Sequence, residues 1–333
     1  MRRRKGTKQG MASRLVSLLL AVMMLAGSLP LAGFEVQAAK ETTDSAQTAQ
    51  TPRASGGGFK HPGLLHTQKG FNKMRENIDN NVQPNRATWD ALWWDGFSNP
   101  GWGGRPVEHV FRGGRDNINQ LRIDLNRAYQ NALIWKISGD EAHGEAACRI
   151  MNGWSSTMKS LGGNADRFLA AGLQGYQMAN IGEIMRDHPN FNTEALQNLL
   201  LNIFYPMNDD FMIRHNDAYI GNYWANWELA NLASMISIGV YCDREDIYER
   251  ALNYFKTGKG NGSFYHTMPY VFDGVQEGDV GFAQWQESVR DQGHTVLGLM
   301  LCGVIMETAW NQGDDLYGMS DNRFMKATVY SGI

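Results

Sequence analysis

The chain has 333 residues, 43% of them hydrophobic, 20% charged and 11% aromatic, with 37 Gly and 10 Trp. That composition excludes general disorder, collagen and a polytopic membrane protein. Net charge is −3, and the first 38 residues hold six Lys/Arg and one Asp/Glu, so losing them takes it to −8 and argues against a basic nucleic-acid binder.

Arg2, Arg3, Arg4, Lys5, Lys8 and Arg14 precede an apolar run from Leu15 to Gly27, and small residues follow at Val36-Gln37-Ala38-Ala39. This is the three-part pattern of a secretory signal peptide, and the apolar run is short for a bilayer span. The expectation is a signal peptide over 1–38, a flexible Ser/Thr/Gly-rich linker over 39–58 and one folded domain over 59–333. The protein is then secreted or held at the cell surface, with no stable membrane insertion after cleavage. Cys148, Cys242 and Cys302 are odd in number and widely spaced, which supports neither a disulfide framework nor a zinc knuckle.

From Asn117 onward, apolar residues recur at helical spacing and no stretch alternates like a strand. Helices are predicted over Asn117–Ser138, Glu141–Met158, Arg167–Arg186, Asn192–Phe204, Tyr223–Val240, Asp243–Phe255 and Glu287–Trp310, with Gly139 a C-cap for the first. The fold class is all-α. A succession of helical hairpins without a fixed-period motif favours an (α/α) toroid over a solenoid. The chain stops at Tyr330-Ser331-Gly332-Ile333 without a sealing element, so the sequence predicts an incomplete ring, with C-terminal truncation one reading of it.

Two Gly- and aromatic-rich stretches break the rhythm: Trp89–Arg115, with Arg105, Arg112 and Arg115, and Thr257–Gln284, with Tyr265, His266 and Tyr270. Long loops retained by a compact domain are where ligands are handled. Three clusters stand out beside them. In His61-Pro62-Gly63-Leu64-Leu65-His66-Thr67, a turn lets the apolar pair dock while His61 and His66 face a cleft. In Gly221-Asn222-Tyr223-Trp224-Ala225-Asn226-Trp227-Glu228, a helix start places Asn222 and Asn226 on one face and Tyr223 and Trp227 on the next. That is either an N-cap with a buried aromatic stripe or a sugar platform of amides and indoles, Trp224 included. In Glu287-Ser288-Val289-Arg290-Asp291-Gln292-Gly293-His294, Arg290 and His294 stand i,i+4 at the mouth of an apolar helix, with Glu287 and Gln292 as further substrate contacts.

The chain has no nucleophile elbow, P-loop or HExxH motif. A set of His, Tyr, Asn and Arg suits proton abstraction beside a carboxylate. The C5–H of a uronic acid becomes acidic once an amide or guanidinium neutralises its carboxylate. A base then takes that proton and an acid protonates the departing O4, without metal or cofactor. The implied partner is an anionic polysaccharide. Arg105, Arg112, Arg115, Arg122 and Arg127 outnumber Glu108, Asp116 and Asp124 in their stretch, a local bias that would offset the negative net charge.

The HPGLLHT opening, the Asn222-Tyr-Trp-x-x-Trp helix start, the ESxRDQGH stretch and Ala309-Trp310-Asn311-Gln312-Gly313-x-Asp315-Leu316-Tyr317 together resemble the alginate lyase-like (α/α)-toroid polysaccharide lyases. The likeness runs from His61 to the end. It implies an extracellular lyase that cleaves alginate, glucuronan or a similar polymer by β-elimination. It also implies that Asn222, with Asn226 as alternative, neutralises the carboxylate, that Arg290 is the cleft arginine and that His294 is the family histidine. The chain departs from the family where Ile220-Gly221-Asn222 stands in place of an Asn-His pair shortly before the Tyr-Trp and Gly293 stands in place of a tyrosine. Proton transfer then falls to Tyr265, Tyr270 or Tyr223, with His215 or His266 as base. Two other readings remain open: a glycoside hydrolase using carboxylates among Asp273, Glu277, Asp279 and Glu287, or a non-catalytic glycan-binding surface protein.

Overall fold

The computed structural model describes residues 58–274 and 281–332. The proposed signal peptide, nearly all of the linker, and Glu277 and Asp279 lie outside the described residues.

The helices are α1 (Gln68–Asp79), α2 (Asn85–Trp93), α3 (Ile118–Ser138), α4 (Glu141–Thr157), α5 (Asp166–Met185), α6 (Thr193–Leu199), α7 (Tyr205–Arg214), α8 (Ala225–Tyr241), α9 (Glu245–Thr257), the single turn α10 (Phe264–Thr267), α11 (Gln292–Gln312) and α12 (Met319–Gly332). Their ends follow local chemistry. Gly139 ends α3 at φ 79°, a conformation only glycine adopts without strain. Asp140 then caps α4 by accepting from the amides of Ala142 and His143. A π-turn over Leu200–Phe204 carries α6 into α7, so the helix predicted to stop at Phe204 runs on to Arg214. The periodicity reading did not mark α1 and α2, both short.

Two short ladders qualify the all-helical expectation. β1 (His109–Arg112) pairs in parallel with β2 (Ser160–Gly163), and β3 (Tyr270–Phe272) pairs antiparallel with β4 (Phe282–Gln284). Strands too short to show alternation make both ladders: the first ties the end of the first loop stretch to the connection between α4 and α5, and the second closes the later stretch on itself.

Helices α3, α5, α8 and α11 are neighbours in that order and start at one pole. The β1–β2 pair joins the entries of α3 and α5, Arg167 at the start of α5 reaches Asn216 just before α8, and the amide of Asn226 at the start of α8 meets Glu287 just before α11. Intervening α4, α6–α7 and α9 return the chain on the outside. This is the (α/α) toroid. Helices α5 and α8 pack closely at Gly172, where a Cβ would stand 2.5 Å from the Ala230 carbonyl carbon. By length and composition α11 could cross a bilayer, but it packs on α8, with Leu301, Cys302, Ile305 and Met306 buried. Cys148, Cys242 and Cys302 are free thiols.

At the opposite pole, residues 60–67 form a strap across the helix C-termini. Gln312 of α11 accepts from the Lys60 amide (2.9 Å) and donates to the carbonyls of Lys60 (3.0 Å) and Gly63 (2.7 Å). Glu183 and Asn180 of α5 accept from the amides of Gly63 (3.0 Å) and Leu65 (3.1 Å). Leu64 is buried at 1% exposure.

Candidate active site

The site lies at the pole where α3, α5, α8 and α11 begin. Unpaired amides and aligned peptide dipoles make that pole favourable for anions. Helix α8 has no side-chain cap of its own, because Trp224 occupies the N-cap position. Its first amides are satisfied from afar: Ala225 donates to Oε1 of Gln286 (2.9 Å) and Asn226 to Oε1 of Glu287 (2.9 Å). The same Glu287 carboxylate pairs with Nη1 of Arg290 at 3.2 Å. Glu287 is fully buried, and desolvation raises its pKa against the pull of Asn226, His294 and Arg290. It is therefore a buried tether between two candidate-site segments, enclosed where the sequence suggested a substrate contact.

Arg290 is one-third exposed, its guanidinium 5.6 Å from the Trp224 ring. It precedes α11, so the helical i,i+4 spacing with His294 does not hold. Asp291 joins the two residues instead: its Oδ2 lies 3.8 Å from Nε of Arg290 and 2.6 Å from Nδ1 of His294, while Oδ1 caps α11 by accepting from the His294 amide at 2.9 Å. Gln292 is exposed on the first turn and lines a cavity of about 490 Å³ with Phe282, Ser288, Thr295, Tyr330 and Ser331.

Asn226 is 2% exposed, and its Oδ1 is sealed from solvent without a donor. Asn222 does not share its helical face, because α8 begins at Ala225 and Asn222 sits in the exposed turn before it, its amide donating to Tyr219. Tyr223 also precedes the helix; its ring is 4.6 Å from that of Trp227, and its hydroxyl accepts from Nδ2 of Asn216 at 3.0 Å. Both rings pack on Phe211, so the aromatic pair is largely core while Trp224, 42% exposed, is the open indole.

His215 is 4% exposed, and its Nε2 meets Oε1 of Glu228 at 2.9 Å. The other oxygen of Glu228 accepts from the amide of Gly262 at 2.8 Å, and a Cβ on Gly262 would stand 2.3 Å from that of Glu228. His215 is thus an anchor behind the site and not an open base. Sequence reasoning missed Glu228, Asn216 and Gln286, which sit inside or beside the quoted motifs but act through contacts 7 to 61 positions apart that no local spacing shows. His266 is exposed, with Nδ1 2.7 Å from the Ser263 hydroxyl, and its carbonyl accepts from Gln286 at 3.3 Å. Tyr265 (48% exposed) lies under Arg323, its ring 5.4 Å from the guanidinium, and Tyr270 (62% exposed) stands on β3.

His61 and His66 do not join this pole. His61 is clamped in the strap between Glu183 (2.7 Å) and Asp243 (3.1 Å), and Nε2 of His66 meets the Tyr129 hydroxyl at 2.7 Å. The reason is topological: the strap crosses helix C-termini, whereas Arg290 and Asn226 stand at N-termini. Arg112 ends β1, half-buried beside Arg122, with Nη1 enclosed and unpartnered; desolvation and Arg122 both lower its pKa. Neither arginine has a carboxylate within ion-pair distance among the described residues, although Asp116 and Asp166 raise both pKa values from further away, and Arg115 is exposed. Arg167 links this pair to the site by contacting Gly163, the register partner of Arg112, and Asn216.

An inner ring of helices with one polar, arginine-bearing mouth is the architecture of the (α/α)-toroid polysaccharide lyases. The sequence profile of the alginate lyase family matches residues 112–330, and the chain belongs to that family. The structure is similar to that of an alginate lyase from Bacteroides ovatus (13% identity, TM-score 0.56, covering 81% of this chain and 82% of that one). It is also similar to a His-to-Ala variant of alginate lyase A1-III complexed with a tetrasaccharide (12% identity, TM-score 0.55, covering 83% and 77%). No curated protein matches the chain. The protein is a polysaccharide lyase.

Proposed function

We propose that the protein cleaves a uronate-containing polysaccharide of the alginate or glucuronan type by β-elimination at the mouth formed by Arg290, Asn226, Asn222 and His294. The observation that carries this reading is the Glu287 carboxylate, which binds both the Asn226 amide and Arg290 and so fixes a guanidinium beside the start of α8. Arg290 and an asparagine side chain quench the sugar carboxylate, which lowers the cost of forming the carbanion at C5. Trp224, Tyr265 and Tyr270 offer open ring faces on which pyranose rings stack. Arg112 and Arg115, with Arg122, receive carboxylates further along the polymer.

In the same reading, residues 1–38 are a signal peptide and 39–58 a linker that place the lyase domain outside the cell or on its surface. The deciding experiment is the ultraviolet absorbance of the conjugated double bond on a panel of alginate, glucuronan, pectate and glycosaminoglycans, repeated with Arg290→Ala. Absorbance on one uronate polymer, lost in the variant, is the expected result. Reducing ends without absorbance would favour hydrolysis, and binding without turnover a glycan-binding role.

A further inference from the structure

We propose that His294 is the proton acceptor of this elimination and that Asp291 is its positioning residue, holding Nδ1 so that Nε2 stays open at the mouth. The proposal rests on the lyase reading above and deepens it by replacing the tyrosine that the chain lacks at Gly293.

The other imidazoles near this pole are engaged or placed elsewhere. His215 is sealed against Glu228, and His266 is tied through Nδ1 to Ser263 in the glycine-rich loop. The Tyr223 hydroxyl is held by Asn216. Of the imidazoles at this pole, His294 combines a carboxylate on one ring nitrogen with no partner on the other among the described residues, and its side chain is 37% exposed. The 2.6 Å contact fixes the tautomer: a carboxylate can only accept, so Nδ1 carries the hydrogen and Nε2 the lone pair. The backbone N–H and the imidazole of His294 hold the Asp291 carboxyl below the usual carboxylate range, which keeps it ionised near neutrality. The charged groups facing the ring are Asp291 and Arg290 from its own turn and Glu287 from the turn before; the first turn of α8 presents the amide of Asn226, with Glu228 turned toward His215.

In the step itself, Nε2 takes the C5 proton, and the C5–H electron pair becomes the C4–C5 π bond. The C4–O4 bond breaks with its pair on O4, which leaves with a proton returned by the imidazolium. No oxidant, reductant or other co-reactant enters. Asp291 stabilises the transient imidazolium, as an orienting carboxylate does in nucleophile–His–carboxylate triads.

The test is Asp291→Asn together with His294→Gln. Asparagine caps a helix as well as aspartate does, so α11 should remain intact and the thermal midpoint should hold. We expect kcat to fall about 30-fold or more in Asp291→Asn with KM changed less than about threefold. His294→Gln should lose about 100-fold or more. Imidazole nitrogen NMR provides a readout independent of turnover: the neutral His294 ring should carry its hydrogen on Nδ1, and that preference should weaken in Asp291→Asn. An unchanged kcat in Asp291→Asn, a hydrogen on Nε2, or near-full activity in His294→Gln overturns the assignment while leaving the lyase reading standing. No unsaturated product from the unaltered protein, with the NMR signature present, would overturn the lyase reading and the base assignment with it.

Discussion

The backbone amide of Asn226 donates to Oε1 of Glu287 at 2.9 Å, across 61 positions of sequence. Two of the first amides of helix α8 therefore find their acceptors in the turn that leads to Arg290, which ties the two segments together. A buried carboxylate at a helix N-terminus is also favoured by the helix dipole, which offsets part of its desolvation.

Replacing Glu287 with Ala should leave the Asn226 amide unpaired and Arg290 untethered. The expected loss is about 2–4 kcal/mol of stability, with a larger loss of kcat/KM. Glu287→Gln retains an acceptor for the amide and should cost about 1 kcal/mol. Denaturant unfolding measures both, and an alanine variant as stable as the parent would remove the tether from the account.

Glu228 holds two rim loops at once, through His215 and through Gly262. Glu228→Ala should cost about 3 kcal/mol, because it strands a buried imidazole and a buried amide. Gly262→Ala should loosen the same loop by steric conflict with Glu228. Limited proteolysis at residues 258–263 should accelerate in both variants; unchanged cleavage would show that the loop is held by other contacts.

The two strap histidines should give opposite pH dependences. Burial alone would lower the His61 pKa, but Glu183 and Asp243 raise it above its usual 6.5. The folded state then binds that proton more tightly, so the stabilisation is complete below 6.5 and fades as pH rises through the folded value. Desolvation lowers the His66 pKa to about 4, so the unfolded chain binds the proton more readily and stability declines as pH falls from 6.5 toward 4. His61→Gln should flatten the alkaline decline and His66→Gln the acid one in thermal midpoints across pH. Identical profiles for parent and variants would refute the attribution.

Arg112 and Arg122 stand together with no carboxylate in ion-pair contact among the described residues, Asp116 and Asp166 acting only from a distance, so screening should weaken their hold on a polyanion. KM should rise with ionic strength, and Arg112→Ala should raise KM several-fold with little change in kcat, while its KM responds less to salt. A salt-independent KM would argue that the pair does not contact substrate.

Much of the fold was legible in the sequence. The helix over Asn117–Ser138 with its glycine stop appears within a residue of the prediction, because an apolar stripe, a strong C-cap and the next N-cap all act locally. The site was legible as motifs but not as geometry. Arg290 and His294 are brought together by Asp291 and not by helical spacing, and Asn222 fell outside α8 because the helix start is set by Gln286 and Glu287, far along the chain. His61-Pro-Gly-Leu-Leu-His66 reads the same in a cleft or a strap, and only its partners Glu183, Asn180 and Gln312 decide between them.

By itself the sequence determined the helical class, the rhythm of hairpins, the family and the residue types that could carry the chemistry, since all of these depend on local periodicity and composition. The tertiary structure alone decided which pole each residue occupies, which carboxylates are buried tethers, and which histidine keeps a nitrogen open. These depend on contacts between residues tens to hundreds of positions apart, whose burial and pairing no local pattern encodes.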